Sequence, residues 1–225
     1  MPSRITLIER FGMLCSICSR IVKPIIAVDI DGTLGDYHGH FLEFSANYFD
    51  METPTGYIGD SPFRTWWTAM TGKTDKDWHD VKLAYRQGGM KRTMPIYDYA
   101  WNLTYEIQKQ GAEMWVTTTR PYLSLDNIVP DTVWWCNIHD ISYSGMLFDE
   151  DKYEQLALRV NPDRVCAIID DLPEMCAAAD AAFGREVAIL LANPYNTAHN
   201  DRFEIGEVIA DVEFLTEQWY SKHQD

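Results

Sequence analysis

IIAVDIDGTLGDYHGHF, residues 25–41, decides how this chain is read. Four apolar residues, Ile25 to Val28, run into two carboxylates one residue apart, Asp29 and Asp31. Gly32 and Thr33 follow at once, and the segment then turns aromatic. An apolar run with a charged exit is the pattern of a central parallel strand whose C-terminal end opens on a site. A stretch built only to fold has no need of that much charge at the end of a buried strand.

Working outward, the same grammar recurs. MPIYDYAWNLTYEIQKQG (94–111) has apolar residues at helical spacing, with Pro95 near its start and Gly111 placed to end it. AEMWVTTTRP (112–121) reads as a second strand ending in hydroxyls, and DEDKYEQLALRV (149–160) as a helix. DRVCAIIDDLPEM (163–175) contains a third buried strand, Val165 to Ile169, ending in paired carboxylates. A helix over PEMCAAADAAFG, a fourth strand in EVAILLA and a terminal helix in GEVIADVEFLTEQWYSKH complete the series. The alternation predicts an α/β fold, a Rossmann-like doubly wound parallel sheet with helices on both faces.

Residues 35–93 break the alternation. The segment is dense in aromatic residues, mostly helical in pattern, and punctuated by TPTGYIGDSP and RQGGMKR. It reads as a small helical cap inserted after the first strand. The predicted organisation is an N-terminal extension (1–22), a core formed by 23–34 with 94–225, and a cap formed by 35–93.

The chain has 225 residues, 46% hydrophobic and 13% aromatic, enough for one substantial core. A formal charge of -15 argues against duplex nucleic acid as a partner, which requires a basic footprint. The first 23 residues carry scattered charges and no run of membrane-spanning length, so neither a membrane segment nor a signal peptide is expected. Five cysteines, irregularly placed, fit a reducing interior, and a cytoplasmic protein is expected. Cys15 and Cys18 have the spacing of half a zinc site, but no second Cys/His pair follows at a familiar spacing. Nothing in the sequence sets the oligomeric state, which leaves a homodimer open.

The topology brings four features to one end of the sheet. Asp29 and Asp31 leave the first strand; Thr118, with Thr119 and Arg120, leaves the second; Lys152 opens a helix; Asp170 and Asp171 leave the third. Carboxylates converging in this way repel unless a cation joins them. Mg²⁺ suits oxygen donors, so Asp29, the Asp31 main-chain carbonyl and Asp170 or Asp171 are candidate ligands, and a phosphorylated substrate would complete the shell. Given metal and phosphate, Asp29 is the candidate nucleophile, and Asp31 the acid for the leaving alkoxide and the base for water. Gly32 frees the backbone to approach the phosphate, Thr118 and exposed amides bind its oxygens, and Lys152 offsets the developing charge.

Asp29-Ile30-Asp31-Gly32-Thr33, the hydroxyls of MWVTTT, Lys152 and CAIIDDLP resemble the four motifs of the haloacid dehalogenase superfamily of aspartate-nucleophile phosphatases. They span Ile25 to Pro173. In that superfamily the second motif-one aspartate marks phosphohydrolases, so Asp31 places the expected activity among them. The aromatic run after the motif and the small helical cap resemble the 5′(3′)-deoxyribonucleotidases and their phage and bacterial relatives. That resemblance implies a nucleoside monophosphate substrate with a base stacked on a cap ring. Phe41 is the best match, ahead of Trp66, Trp67 and Tyr85. Gly-Thr stands where those enzymes often have Gly-Val, and Arg120-Pro121 follows motif two as in other branches. A 3′-phosphatase on nucleic acid ends and a sugar-phosphate phosphatase are the alternative readings.

Three smaller features complete the reading. Arg86, Lys91 and Arg92 form a basic cluster that either touches substrate phosphate or balances nearby carboxylates, and Lys91 is an alternative to Lys152. Gly72-Lys73-Thr74 has the look of a phosphate loop, but Trp67 occupies the place of its first glycine. His38 and His40 are expected to serve cap packing rather than a metal.

Overall fold

The computed structural model describes residues 22–57, 62–119 and 125–223. Cys15, Cys18 and Arg120 lie outside the described residues. Strand β1 (Ile25–Asp29) is buried along its whole length, because both faces of the sheet are covered. Side chains alternate across a strand. Ile26 and Val28 therefore join one apolar cluster, and Ile25 and Ala27 another.

Five parallel strands form the sheet described here: β1, β2 (Glu113–Thr118), β3 (Gly145–Phe148), β4 (Val165–Asp170) and β5 (Ala188–Leu190), in the order β3-β2-β1-β4-β5. The chain winds outward from β1 through β2 to β3, then returns to the other side of β1 for β4 and β5. The reversal falls at β1, and in open α/β sheets ligands bind at the carboxyl ends of the strands at such a switch point. Helices α4 (Ala100–Lys109) and α8 (Ile205–Lys222) supply Leu103, Ile107, Val208 and Val212 to the first cluster. Helices α6 (Lys152–Arg159) and α7 (Pro173–Phe183) supply Tyr153, Leu156 and Ala179 to the second.

Two elements exceed the sequence reading. Helix α5 (Ile128–Ile138) carries Pro130 in its first turn, where a missing N–H costs nothing, and β3 is four residues long and begins on a glycine. One boundary differs. Helix α4 starts at Ala100 rather than near Pro95, because residues 95–97 pair with the loop after β1: Asp36 N–H donates to Pro95 C=O at 2.9 Å and Tyr97 N–H to Leu34 C=O at 3.0 Å.

Between β1 and α4 the chain forms α1 (Tyr37–Phe49), α2 (Phe63–Thr71) and α3 (Asp75–Gln87). Asp36 caps α1 by accepting from Gly39 N–H at 2.8 Å. Gly72, in the left-handed region at φ 65°, closes α2, and Thr74 with Asp77 forms a capping box on α3. Gly72-Lys73-Thr74 is helix punctuation. Phe41, Trp67, Trp78 and Tyr85 from these helices belong to the same apolar cluster as Ile26 and Val28, so the helical layer has no separate core.

Candidate active site

Asp29 is the last residue of β1, at the carboxyl edge of the sheet, where β4 also ends in Asp170. Lys152, the first residue of α6, reaches between them. Its Nζ donates to Asp29 Oδ1 at 2.5 Å and to Asp170 Oδ2 at 2.7 Å. Asp170 Oδ2 also accepts from Tyr153 Oη at 2.5 Å, and Oδ1 accepts from Leu172 N–H at 2.9 Å. All three charged groups are buried. Burial pushes Asp29 up to about 7, with Asp170 and Asp31 adding to the rise and Lys152 opposing it. Burial alone would lower Lys152, but Asp170 and Asp29 outweigh it and hold the ammonium well above its usual range.

Asp171 is tied elsewhere. Its Oδ1 accepts from Thr33 Oγ1 at 3.0 Å and its Oδ2 from Tyr195 Oη at 2.5 Å, while Asn196 Nδ2 donates to its carbonyl at 3.0 Å. Burial, then Asp170 and Asp29, raise its carboxyl well above the usual range. Gly32 sits at φ 97°, and a Cβ there would lie 2.2 Å from Asp171 Oδ2 and 2.5 Å from Tyr195 Oη. Only glycine fits that approach.

A cleft of 180 Å³ is lined by Asp29, Asp31, Thr119, Lys152, Asp170 and Asp171 from the core side, and by Tyr37, His38, Lys82 and Arg86 from the cap. It adjoins an outer chamber of 480 Å³, sharing Tyr37, His38, Lys82 and Leu172 with it; Tyr57, Phe63, Trp78 and Tyr195 supply further rings. The structure therefore brings together Asp29, Asp31, Thr119, Lys152, Arg86, Asp170 and Asp171. Thr118 is closed off from the cleft, and its hydroxyl meets no hydrogen-bond partner among the described residues.

Three expectations are corrected: a phosphate-binding Thr118, a base-stacking Phe41 and a substrate-contacting Lys91. Phe41 is 0% exposed and packs against Trp78 (ring centroids 4.9 Å apart), Tyr85 and Phe63, so no base can stack on it; Trp67 and Tyr85 are enclosed in the same way. Lys91 is 1% exposed and outside both cavity walls. Its Nζ donates to Asp31 Oδ2 at 2.5 Å and lies 4.1 Å from the Tyr37 ring centroid. A buried ammonium requires a hydrogen-bonded partner, and Asp31 Oδ2 is that partner.

Sequence reasoning missed Lys82, Tyr57 and Tyr195. Lys82 and Arg86 are four residues apart on α3, with Trp78 four before, so one face of a helix carries all three. That spacing was the available signal. Tyr57 and Tyr195 lie outside helices and strands, where no periodicity marks them. His38 lines both cavities, and burial pushes it down to about 3, which keeps the ring neutral. His40 packs as expected, its Nδ1 2.8 Å from Tyr85 Oη.

The donor set fits a hard divalent cation: the core-side groups offer carboxylates, with neither imidazole nor thiolate among them. Asp29 and Asp170 share one ammonium and Asp171 stands close enough to be raised by both, a crowding that a further positive charge relieves. Among the described residues no three His, Cys, Asp or Glu side chains already converge at ligating geometry.

Comparison with solved structures identifies the fold. CbbY of Rhodobacter sphaeroides, crystallised with xylulose 1,5-bisphosphate, superposes with a TM-score of 0.55 at 16% identity, over 85% of this chain and 99% of its own. A HAD hydrolase of family IA, variant 3, from Entamoeba histolytica gives 0.54 at 16%, over 86% and 99%. A putative β-phosphoglucomutase from Thermotoga maritima gives 0.53 at 12%, over 85% and 99%. No protein-family model matches the sequence, and no curated protein does. The chain has the haloacid dehalogenase-type fold, a Rossmann-like parallel sheet with the candidate residues at its carboxyl edge. Among the described residues no helix is long and apolar enough to cross a membrane.

Proposed function

We propose that this protein is a phosphomonoester hydrolase in which Asp29 is the nucleophile. The observation that carries the reading is the Lys152 ammonium held between Asp29 and Asp170 at the switch point of the sheet. Lys152 fixes Asp29 Oδ1, and no described group donates to Oδ2, which is the oxygen left to attack phosphorus. Attack forms an aspartyl-phosphate and breaks the bond to the leaving oxygen, which takes a proton from Asp31. Water, deprotonated by Asp31, then attacks the same phosphorus and restores the Asp29 carboxylate. Thr119 and main-chain amides bind the nonbridging oxygens, and Lys152 opposes the charge that builds on them. Mg²⁺ held by Asp29, the Asp31 carbonyl and Asp170 or Asp171 would neutralise charge on the phosphoryl oxygens.

The finer reading is a 5′-nucleotidase acting on nucleoside monophosphates. Its support is the outer chamber, whose Tyr57 and Tyr195 rings stack 5.2 Å apart beside Tyr37, His38 and Phe63. Rings of this kind suit a base. Phosphate release from 5′- and 3′-mononucleotides, 3′-phosphorylated oligonucleotides and sugar phosphates, with Mg²⁺ and with chelator, tests both levels. Mg²⁺-dependent release that favours mononucleotides is expected. Release from sugar phosphates alone would overturn the finer reading, and silence across the panel would overturn the coarser one.

A further inference from the structure

Arg86 is out of balance with its surroundings. It is 3% exposed and lines the cleft, yet its Nε and Nη1 meet no acceptor. Its nearest charge is Asp31 Oδ2, 3.8 Å from Nη2, an oxygen that Lys91 already holds at 2.5 Å. The guanidinium is therefore not consumed by Asp31. One helical turn earlier, Lys82 lines both the cleft and the outer chamber and makes no ion pair or hydrogen bond among the described residues. The Trp78 ring lies 5.7 Å from its Nζ, and the Arg86, Asp31 and Arg64 charges act on it from further off.

Leaving buried N–H donors unmatched costs about 1–3 kcal/mol each, and more when the group is charged. Arg86 is such a group, and Lys82, half-buried one turn earlier on the same helix face, adds a second cation beside it; together they mark a place where an acceptor belongs. A neutral acceptor would satisfy the donors but leave the charge of Lys82 without a counter-ion in a desolvated site. An oxyanion satisfies both, and the planar guanidinium fork matches one bidentately.

Position decides which part of a ligand this is. On the phosphatase reading, the transferred phosphoryl group lies at Asp29, where Lys152 serves it, and Asp31 addresses the leaving oxygen. Arg86 lies 3.8 Å from Asp31, the group that addresses the leaving oxygen, and makes no ion pair with Asp29 among the described residues. We propose that Arg86 and Lys82 form a subsite for a second oxyanion, phosphate or carboxylate, carried by the leaving group of the substrate. The substrate class is then a phosphomonoester with a second anionic group. If the leaving group is a nucleoside, the preferred substrate is a mononucleotide that carries a further phosphate, such as a 3′,5′-bisphosphate. This rests on the phosphatase reading for its chemistry, though not for its binding.

The test compares matched esters: a nucleoside 5′-monophosphate with the 3′,5′-bisphosphate, ribose 5-phosphate with ribose 1,5-bisphosphate, and glycerol 3-phosphate with 3-phosphoglycerate. In at least one pair the doubly anionic member is expected to have a kcat/KM about 10- to 100-fold higher, the difference lying in KM. The first two pairs report on phosphate as the second group, and the third on carboxylate. Lys82→Met and Arg86→Lys should each shrink that ratio, because Met removes the charge and Lys removes the fork. Equal kcat/KM within every pair would overturn the subsite. So would variants that lower both members of a pair by the same factor, since Arg86 would then be serving the transferred phosphoryl group. Thermal midpoints of both variants separate a lost subsite from a lost fold.

Calorimetric titration of the Asp29→Asn protein with both members of each pair provides a readout without turnover. Tighter binding of the doubly anionic member, lost when Lys82→Met is added, would uphold the subsite even if no ester in the panel were hydrolysed. Equal binding would reject the subsite while leaving the phosphatase reading intact.

Discussion

Lys152 and Lys82 face the same cleft, one from the core and one from the cap, and the protein treats them in opposite ways. Lys152 is clasped by Asp29 and Asp170, which hold its ammonium well above the ordinary range. Lys82 has no carboxylate against it, and burial, followed by the Arg86 charge, pushes it down to about 8. The core wall arrives with its ammonium held by its own carboxylates, so the positions of Lys152, Asp29 and Asp170 are set before any ligand enters. The cap wall arrives with cations unmatched, so part of its electrostatic balance comes from what binds. On the proposed function, reaction geometry falls to one wall and substrate choice to the other.

The contrast is broken most severely at Asp29. Asp29→Asn keeps the shape of the core wall and removes the attacking oxygen, so phosphate release should fall by on the order of 10⁴-fold or more while far-UV circular dichroism is unchanged. Retained single-turnover release would dismiss Asp29 as the nucleophile. On the cap side the largest effect is structural. Phe41→Ala empties the centre of the aromatic cluster and should cost about 3–5 kcal/mol of unfolding free energy by denaturant titration. A change in KM with undiminished stability would restore Phe41 to the substrate.

Gly32→Ala tests how tightly the core wall is built. Its φ of 97° and the approach of Asp171 and Tyr195 predict a loss of about 1–3 kcal/mol from backbone strain, with a further loss from displacing that hydrogen bond. An unchanged thermal midpoint would mean that the loop has room to spare. The smallest effect sharpens the picture of the cap. His38, lowered by burial from 6.5 to about 3, takes up a proton in the unfolded chain below pH 6.5 but in the fold only near 3. The unfolded state binds more protons in that window, so stability falls as the pH drops through it. In His38→Gln the loss between pH 6.5 and about 4.5 should be shallower than in the parent. Parallel slopes in the two proteins would show that His38 is reached by water.

Much of the core wall was legible because each of its strands announces itself twice, by an apolar run and by the polar residues at its exit. Ile25–Asp29, Glu113–Thr118 and Val165–Asp170 are strands, and all three end at the cleft or beside it. β3 escaped notice because four residues beginning on Gly145 carry too little pattern, and α5 because Pro130 reads as a break unless its first-turn position is known. The cap was legible as helices and aromatics but not as surfaces. Sequence spacing puts Phe41, Tyr37 and His38 on one stretch of α1 without saying that Phe41 turns inward while the other two reach the cleft. Which ring is lining and which is filling depends on how three helices pack together, a property no single helix encodes.

The tether at Asp171 sets a condition on when the site exists. Asn193 Nδ2 donates to Gly32 C=O at 3.2 Å, across 161 positions of sequence, and Tyr195 and Asn196 fasten Asp171 from the same loop. The aspartate pair of the first strand is synthesised early, but the loop that fixes its neighbour emerges only after all five strands. Contacts of such long sequence separation form late, because their loop-closure entropy must be met first. A nascent chain thus displays the Asp29–Asp31 motif well before its surroundings are organised. The candidate site is completed near the end of folding, as a property of the finished sheet.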